Sequence, residues 1–303
     1  MIEQIHGQKY FSRTGIPLYI FRAKVGSLVT MHTHDFSELV VVVEGRGWHV
    51  TADGRYPIAA GDVFVVQNNA AHAYEGCEQI DLYNVLFDIS KLSLPASDLY
   101  QLPAYHALFS LEPGIRNTAR GCHHFLTLSN SDMAEVSGTL ERAANELSRR
   151  QAGYQGMAVS LFLQVAILLS RCYATMDGME SGRLIRLGRV TSYIEQNISE
   201  PLTLQQMAQV AGVSISTLNR SFHEALGMPP MEYVIEERFM KATSLLKNTG
   251  ATITEVADRS GFADSNFFSR QFRRRFGCSP RDFRAAVRAG SESLISPSGG
   301  LLP

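Results

Sequence analysis

Residues 257–283 read ADRSGFADSNFFSRQFRRRFGCSPRDF, and the same skeleton occurs once before, at residues 208–233. In the earlier copy Ala208 is followed by Gly212, Arg220, Phe222, Gly227, Pro230 and Tyr233. In the later one Ala257 is followed by Gly261, Arg270, Phe272, Gly277, Pro280 and Phe283. The offset is 49 residues up to the glycines and 50 from the arginines on, so the later copy carries one extra residue in its turn. A pair is too few for a solenoid and reads as a duplicated small module.

Each copy fits a helix-turn-helix. In the first, Thr203 and Gln206 form a capping box, and Leu204, Met207, Ala208 and Ala211 share one helical face. Gly212 supplies a left-handed turn, Val213 plugs the corner, and Ser214 caps a second helix with Leu218, Phe222 and Leu226 inward. In the second copy Thr252 and Glu255 form the box, Gly261 and Phe262 the turn, and Asp264 the next cap. Phe267, Phe268 and Phe272 are expected to pack inward. The outward faces show Ser216, Asn219 and Arg220 in one copy and Ser265, Asn266, Ser269 and Arg270 in the other. Arg reads guanine and Asn reads adenine in a major groove, while Arg273, Arg274 and Arg275 suit phosphates. The competing account is a solvated helix face, which two matched copies disfavour.

This C-terminal region resembles the DNA-binding domain of AraC/XylS-family transcription regulators. The resemblance covers residues 187–288, including the connecting helix EYVIEERFMKATSLL and the closing pattern FFSRQFRRRFGCSPRDFR. It implies a long helix that holds two recognition helices against successive major-groove segments, about 34 Å apart for one turn of DNA.

The whole chain has 303 residues, enough for two domains with cores of their own. Its composition, 45% hydrophobic and 19% charged, is that of a soluble globular protein. Residues 1–182 hold 13 Lys+Arg and 18 Asp+Glu (−5), whereas residues 183–290 hold 15 and 10 (+5), and Glu292 adds −1. A basic second half suits nucleic acid. Cys77, Cys122, Cys172 and Cys278 form no CxxC, which points to a reduced setting. The N-terminus MIEQIHGQKYF lacks a signal pattern, and the apolar run at 157–169 is short for a bilayer. A cytoplasmic protein with no membrane partner is expected.

Residues 10–90 read as short strands (18–21, 38–44, 48–51, 63–67 and 82–87) separated by turn residues, Gly45 and Gly47 among them. That is a β-sandwich or barrel pattern. Within it Gly26, His32, His34, Glu38 and Gly45 stand at spacings similar to the first cupin motif, and His72 sits where the second motif places a histidine. Gln67, Asn69 and Gly76 depart from that second motif. In metal-binding cupins these positions supply three imidazoles and a carboxylate to one divalent ion. Residues two apart on a strand face the same way, so His32 and His34 both point inward.

Two uses of the quartet His32, His34, Glu38 and His72 stay open: metal ligands, or a structural or ligand-contacting cluster that requires no cofactor. Trp48, Tyr74 and Tyr83 offer stacking faces to a sugar, or else are plain core, and Arg22 either contacts a polar ligand or is exposed.

Residues 98–130 show weak patterning, broken by Pro103, Pro113 and Gly114. Helices are expected at 131–150 and 154–176, the second apolar nearly all round. They pack only within the chain or supply a homodimer contact. The polar DGMESGR at 177–183 reads as a link, and residues 291–303 as a frayed tail.

The expected class is therefore α+β: a cupin-like effector-binding barrel at 1–95, a helical linker or dimerisation segment at 96–182, an all-α domain with two helix-turn-helix motifs at 183–290, and the tail. The stretch HTHDFSELVVVVEGRGWHV is similar to the sensor domains of rhamnose-operon regulators. That implies a transcription activator, not an enzyme, with double-stranded operator DNA, RNA polymerase and a sugar such as L-rhamnose as partners. The rival class is a metal-dependent cupin enzyme fused to a DNA-binding domain.

Overall fold

A computed structural model describes residues 2–26, 28–52, 54–92, 98–113, 126–176 and 178–289. Gly114, Cys122, Asp177 and the expected tail lie outside the described residues. The chain divides into two compact units, with the boundary between Gly188 and Arg189.

The first unit is built on two long strands, β4 (Ser37–Thr51) and β7 (His72–Phe87), which pair antiparallel over most of their length. β4 adds β6 (Asp62–Val66) along its first half and β5 (Gly54–Ala59) along its second. β7 pairs with β3 (Leu28–His34) near its start and with β2 (Leu18–Val25) further on. β1 (Glu3–Ile5) lies parallel beside β3, and β8 (Leu126–Thr127) beside β6.

Gly45 and Gly47 were expected to separate two strands. They instead lie inside β4, where the register with β7 shifts three times between Val42 and Trp48. Such bulges bend a strand without ending it. Gly45 has φ +85°, and a Cβ there would stand 2.4 Å from the Gln79 carbonyl oxygen. Only glycine fits. The bend lets one strand pair serve both walls around an apolar core of Val40, Val42, Tyr56, Ile58, Phe64, Val66, Tyr74, Ile80 and Leu82.

Sequence patterning missed the helix α1 (Gln8–Thr14), which precedes β2. Pro103 begins a short helix, α2 (Pro103–His106), rather than breaking one, because proline is tolerated in a first helical turn. A π-helical turn, Ala107–Leu111, follows. Next come α3 (Asn130–Arg149), capped by Ser129, and α4 (Tyr154–Ala174). α4 has 21 residues and is long and apolar enough to cross a membrane, longer than the 157–169 run suggested. Its Leu161, Phe162, Val165, Leu169 and Tyr173 are nonetheless buried in the fold, with Phe162 against Phe87 at 5.2 Å between ring centroids. The expected link at 177–183 is corrected in its larger part, since the helix α5 (Met179–Gln196) already begins at Met179.

The second unit holds the two motifs. α6 (Leu204–Ala211) and α7 (Ile215–Leu226) form the first, and α9 (Ile253–Arg259) and α10 (Ser265–Phe276) the second. α8 (Pro230–Asn248) connects them and α11 (Pro280–Arg288) closes the chain of helices. Both expected capping boxes form, at Thr203–Gln206 and Thr252–Glu255, and a third forms at Ser279–Asp282. The turns repeat as well: Val213 N–H donates to Ala208 O and Phe262 N–H to Ala257 O.

The turn glycines differ in what surrounds them. Gly212 (φ +65°) has open space where a Cβ would be. At Gly261 (φ +86°) a Cβ would stand 2.2 Å from the Ile198 carbonyl oxygen. Gly212→Ala should therefore cost about 1 kcal/mol of left-handed backbone strain. Gly261→Ala should cost roughly 3 kcal/mol or more, strain and overlap together. Urea midpoints of the full chain will rank the two.

In the first unit His106 is buried, and its Nε2 donates to the Tyr100 carbonyl at 2.7 Å. Burial lowers its pKa to about 4 from 6.5. A depressed histidine contributes stability above its unfolded pKa and loses it as pH falls through the folded one. The window is therefore pH 6.5 down to about 4. The loss should reach about 2 kcal/mol by pH 5. Melting at pH 7.5 and 5.0 should show it, with a smaller drop in His106→Gln.

Candidate functional site

Two regions carry chemistry, one in each unit. In the first unit β3 presents His32 and His34, β4 presents Glu38, and β7 begins at His72, opposite His32. His34, Glu38 and His72 are buried, and His32 is partly exposed. Carbonyl groups set two of the rings. His34 Nδ1–H donates to Phe36 O at 2.6 Å, and the ring lies stacked on Phe36 at 4.4 Å. His32 Nδ1–H donates to Thr30 O at 2.9 Å. In the neutral imidazole both Nε2 atoms then carry lone pairs.

His72 lies between the others. Its Nε2 is 2.8 Å from His32 Nε2 and 3.6 Å from Glu38 Oε2, and its Nδ1 is 3.5 Å from His49 Nε2. Facing two acceptors, His72 Nε2 carries the proton. Burial first, then His49, His32 and His34, hold the His72 pKa well below the usual 6.5, so this ring is neutral.

The donor set suits a divalent cation. Ligand atoms of His34, Glu38 and His72 all lie within 4.8 Å of one another, and Glu38 Oε2 is 3.6 Å from both Nε2 atoms. Bonds of ~2.1 Å in tetrahedral geometry would separate ligand atoms by about 3.4 Å. His34 Nε2 is buried with no hydrogen-bond partner, as a poised ligand would be. His72 would first have to pass its Nε2 proton to Nδ1, the side that faces His49. His49 was not singled out from the sequence. It lies one residue past the chosen Trp48, and the strand bulges there obscure which of the two faces inward.

The structure does not bring Arg22, Trp48 or Tyr83 to this cluster. Trp48 is 40% exposed, with the Arg55 guanidinium 5.1 Å from its ring. Tyr83 lies on the face of β7 opposite Leu82, and Arg22 is 5.5 Å from its ring and pairs with Asp81 at 2.8 Å. Tyr83 is buried on that other face and Trp48 faces solvent, so neither ring reaches the cluster. Of the three aromatics considered, Tyr74 is the one beside the histidines, 5.5 Å from His49 and 5.9 Å from His72. A cavity of about 10 Å³, lined in part by His49, Thr51, Gln67, His72 and Pro113, adjoins the cluster. That is room for about one water. Gln67, one of its lining residues, donates through Nε2 to Ser110 O at 2.8 Å.

In the second unit Arg220, Arg270, Asn266, Arg273 and Arg274 are exposed on α7 and α10. Ser216, also exposed, shares a hydrogen bond with Ser214. Asn219 and Ser269 bond back to the carbonyls of Ile215 and Ser265, so their side chains sit closer to the helix than expected, and Ser265 is partly buried. Two sequence readings are corrected. Arg275 is bound at 3.0 Å to Glu236 of α8 in a largely buried ion pair, which fixes α10 to the connecting helix rather than serving a phosphate. Phe267 does not pack inward: it is 46% exposed, while Phe268 and Phe272 are fully buried.

The comparisons with known proteins match both regions. An AraC-like ligand binding domain matches residues 18–164, and a helix-turn-helix domain matches residues 207–286. The HTH-type transcriptional activator RhaS of Salmonella schwarzengrund (strain CVM19633) is 29% identical over 292 residues, which is 96% of this chain and 99% of that protein. A transcriptional regulator with an AraC-type DNA-binding domain from Chromobacterium violaceum is 35% identical over 34% of this chain and 91% of its own, with a TM-score of 0.33. The DNA-binding domain of AdpA, solved with a target DNA, is 31% identical over 35% of this chain and 95% of its own, with a TM-score of 0.34. With a ligand-binding domain and a duplicated helix-turn-helix on one polypeptide, each matched along its length, the chain belongs to the AraC family of transcription regulators.

Proposed function

We propose that this activator responds to a sugar, L-rhamnose or a related deoxysugar, taken up beside the His32, His34, Glu38 and His72 cluster. The observation that carries the reading is a compact polar group set into an otherwise apolar interior. A few convergent donors and acceptors in an apolar surround orient a small polar ligand. The neighbouring cavity is too small for a monosaccharide, so binding has to part the residues that line it, among them Gln67, which is bonded to Ser110. A ligand that binds the parted state better shifts the protein toward it, by no more than its differential affinity for the two states. Operator occupancy or contact with RNA polymerase then changes. We place the protein in the cytoplasm, and α3 and α4 as a contact between two copies.

A second reading is favoured by the orphaned Nε2 of His34: a divalent cation held by His34, Glu38 and His72, with His32 beside it. Such an ion would supply Lewis acidity or a fixed charge for a ligand hydroxyl. On this reading the metal-dependent cupin enzyme stays in contention.

A thermal-shift screen with monosaccharides, with and without a chelator, separates the readings. A concentration-dependent rise with one sugar, indifferent to chelator, is expected. A large fall on chelation with no sugar effect would favour the metal and reopen the enzyme reading. At the other end of the molecule, Arg220→Ala and Arg270→Ala should each lose about 1–3 kcal/mol of specific DNA binding. Electrophoretic mobility shifts on a selected operator measure this, and unchanged affinity in both variants would remove the two helices from the groove.

A further inference from the structure

α10 carries three phenylalanines in its first two turns, and they do not do the same work. Phe268 and Phe272 belong to the core with Phe239, Phe262 and Phe283. Phe267 has nearly half its surface in solvent although it sits one residue from that core. It is also anchored: its backbone N–H is held at 2.5 Å by the capping carboxylate of Asp264, which fixes the first turn of the helix.

The surface around Phe267 is cationic. Residues three and seven further along a helix lie on the same side, and here they are Arg270 and Arg274, both exposed. Asn266 adjoins it and is exposed as well. A large apolar ring displayed among arginines suits an anionic partner with apolar patches in its interior. The major groove of DNA is such a surface, with phosphates along its edges and thymine methyl groups on its floor. In a helix-turn-helix it is the N-terminal part of the second helix that meets base edges, and Phe267 lies there. The position equivalent to Phe267 in the first motif is Thr217, whose hydroxyl is 2.9 Å from Ser214 Oγ. The two recognition helices thus differ in chemistry at one equivalent place, aromatic in one and hydroxyl in the other.

We propose that Phe267 is a specificity-determining residue: its ring packs on the C5-methyl of a thymine in the segment read by α10, next to the base read by Arg270. This rests on the placement of α10 in the major groove. It makes the two half-sites unequal, since Thr217 cannot present the same apolar area.

The test replaces single thymines by deoxyuridine, which removes the methyl group and nothing else. A preferred duplex is first selected from random sequence with the full chain. Each thymine is then substituted in turn, and affinities are measured for the unaltered protein, Phe267→Ala and Arg270→Ala. One deoxyuridine should weaken the unaltered protein roughly 3- to 5-fold, the weight of one buried methyl group. Phe267→Ala should bind more weakly and no longer distinguish thymine from deoxyuridine there, while Arg270→Ala, weaker overall, should still distinguish them.

The proposal is overturned if no deoxyuridine matters to the unaltered protein, a result that needs no variant to fold. It is overturned too if Phe267→Ala keeps the full thymine preference, which would make the ring a sugar-phosphate contact. If Arg270→Ala also binds unchanged, the groove placement of α10 falls with it. Loss of the thymine preference in Phe267→Ala alone, with the groove contact of Arg270 intact, supports the assignment.

Discussion

The sensor unit depends on the bent pairing of β4 with β7. Where the chain must turn a corner without leaving the ladder, the backbone of Gly45 comes against the Gln79 carbonyl, at a distance that excludes any side chain. The two strands can then form parts of both walls. One consequence is topological: β2, β3, β5 and β6 all find an edge on one of these two strands. The other is chemical: Glu38 and His49 on β4 meet His72 on β7 inside the fold. Four imidazoles close to one carboxylate would repel as cations. Burial relieves this at the centre of the cluster by keeping His72 neutral, while carbonyl groups orient the rings of His32 and His34.

The DNA-binding unit is organised by a different constraint, the need to end one helix and begin another within a few residues, three in the first motif and five in the second. A left-handed glycine and a side-chain cap solve that locally, and both motifs use the same solution. Their surroundings differ. Gly261 is closed in by the Ile198 carbonyl and Gly212 is open. The second recognition helix is also tied to the connecting helix through Arg275 and Glu236. Local geometry was duplicated, whereas the packing around it was not.

These contrasts explain how far the residues alone could be read. Helix starts were legible because a capping box is a local event: Thr203 with Gln206 and Thr252 with Glu255 bond within one turn. The pairing of His34, Glu38 and His72 was legible through its resemblance to the cupin spacing, and the geometry brings those three together. Inward and outward faces were less legible. Trp48 and Tyr83 were read as sugar-facing or plain core: Trp48 turns to solvent beyond the bulges that shift the alternation of its strand, and Tyr83 is buried on the face of β7 opposite Leu82. Phe267 was read as core for its hydrophobicity alone, although the position next to a fully buried Phe268 lies on another helical face.

The sequence by itself determined the class of protein, its two-part organisation, the repeat and the caps, because these rest on residues close to one another along the chain. Tertiary structure decided which side chains meet. Gly45 is part of a bend and not a turn, His49 rather than Trp48 adjoins His72, and Arg275 is bound to Glu236. Each of those outcomes depends on a partner brought up from a distant part of the chain, or on the strand register that decides which face a residue occupies. Neither is encoded in local periodicity.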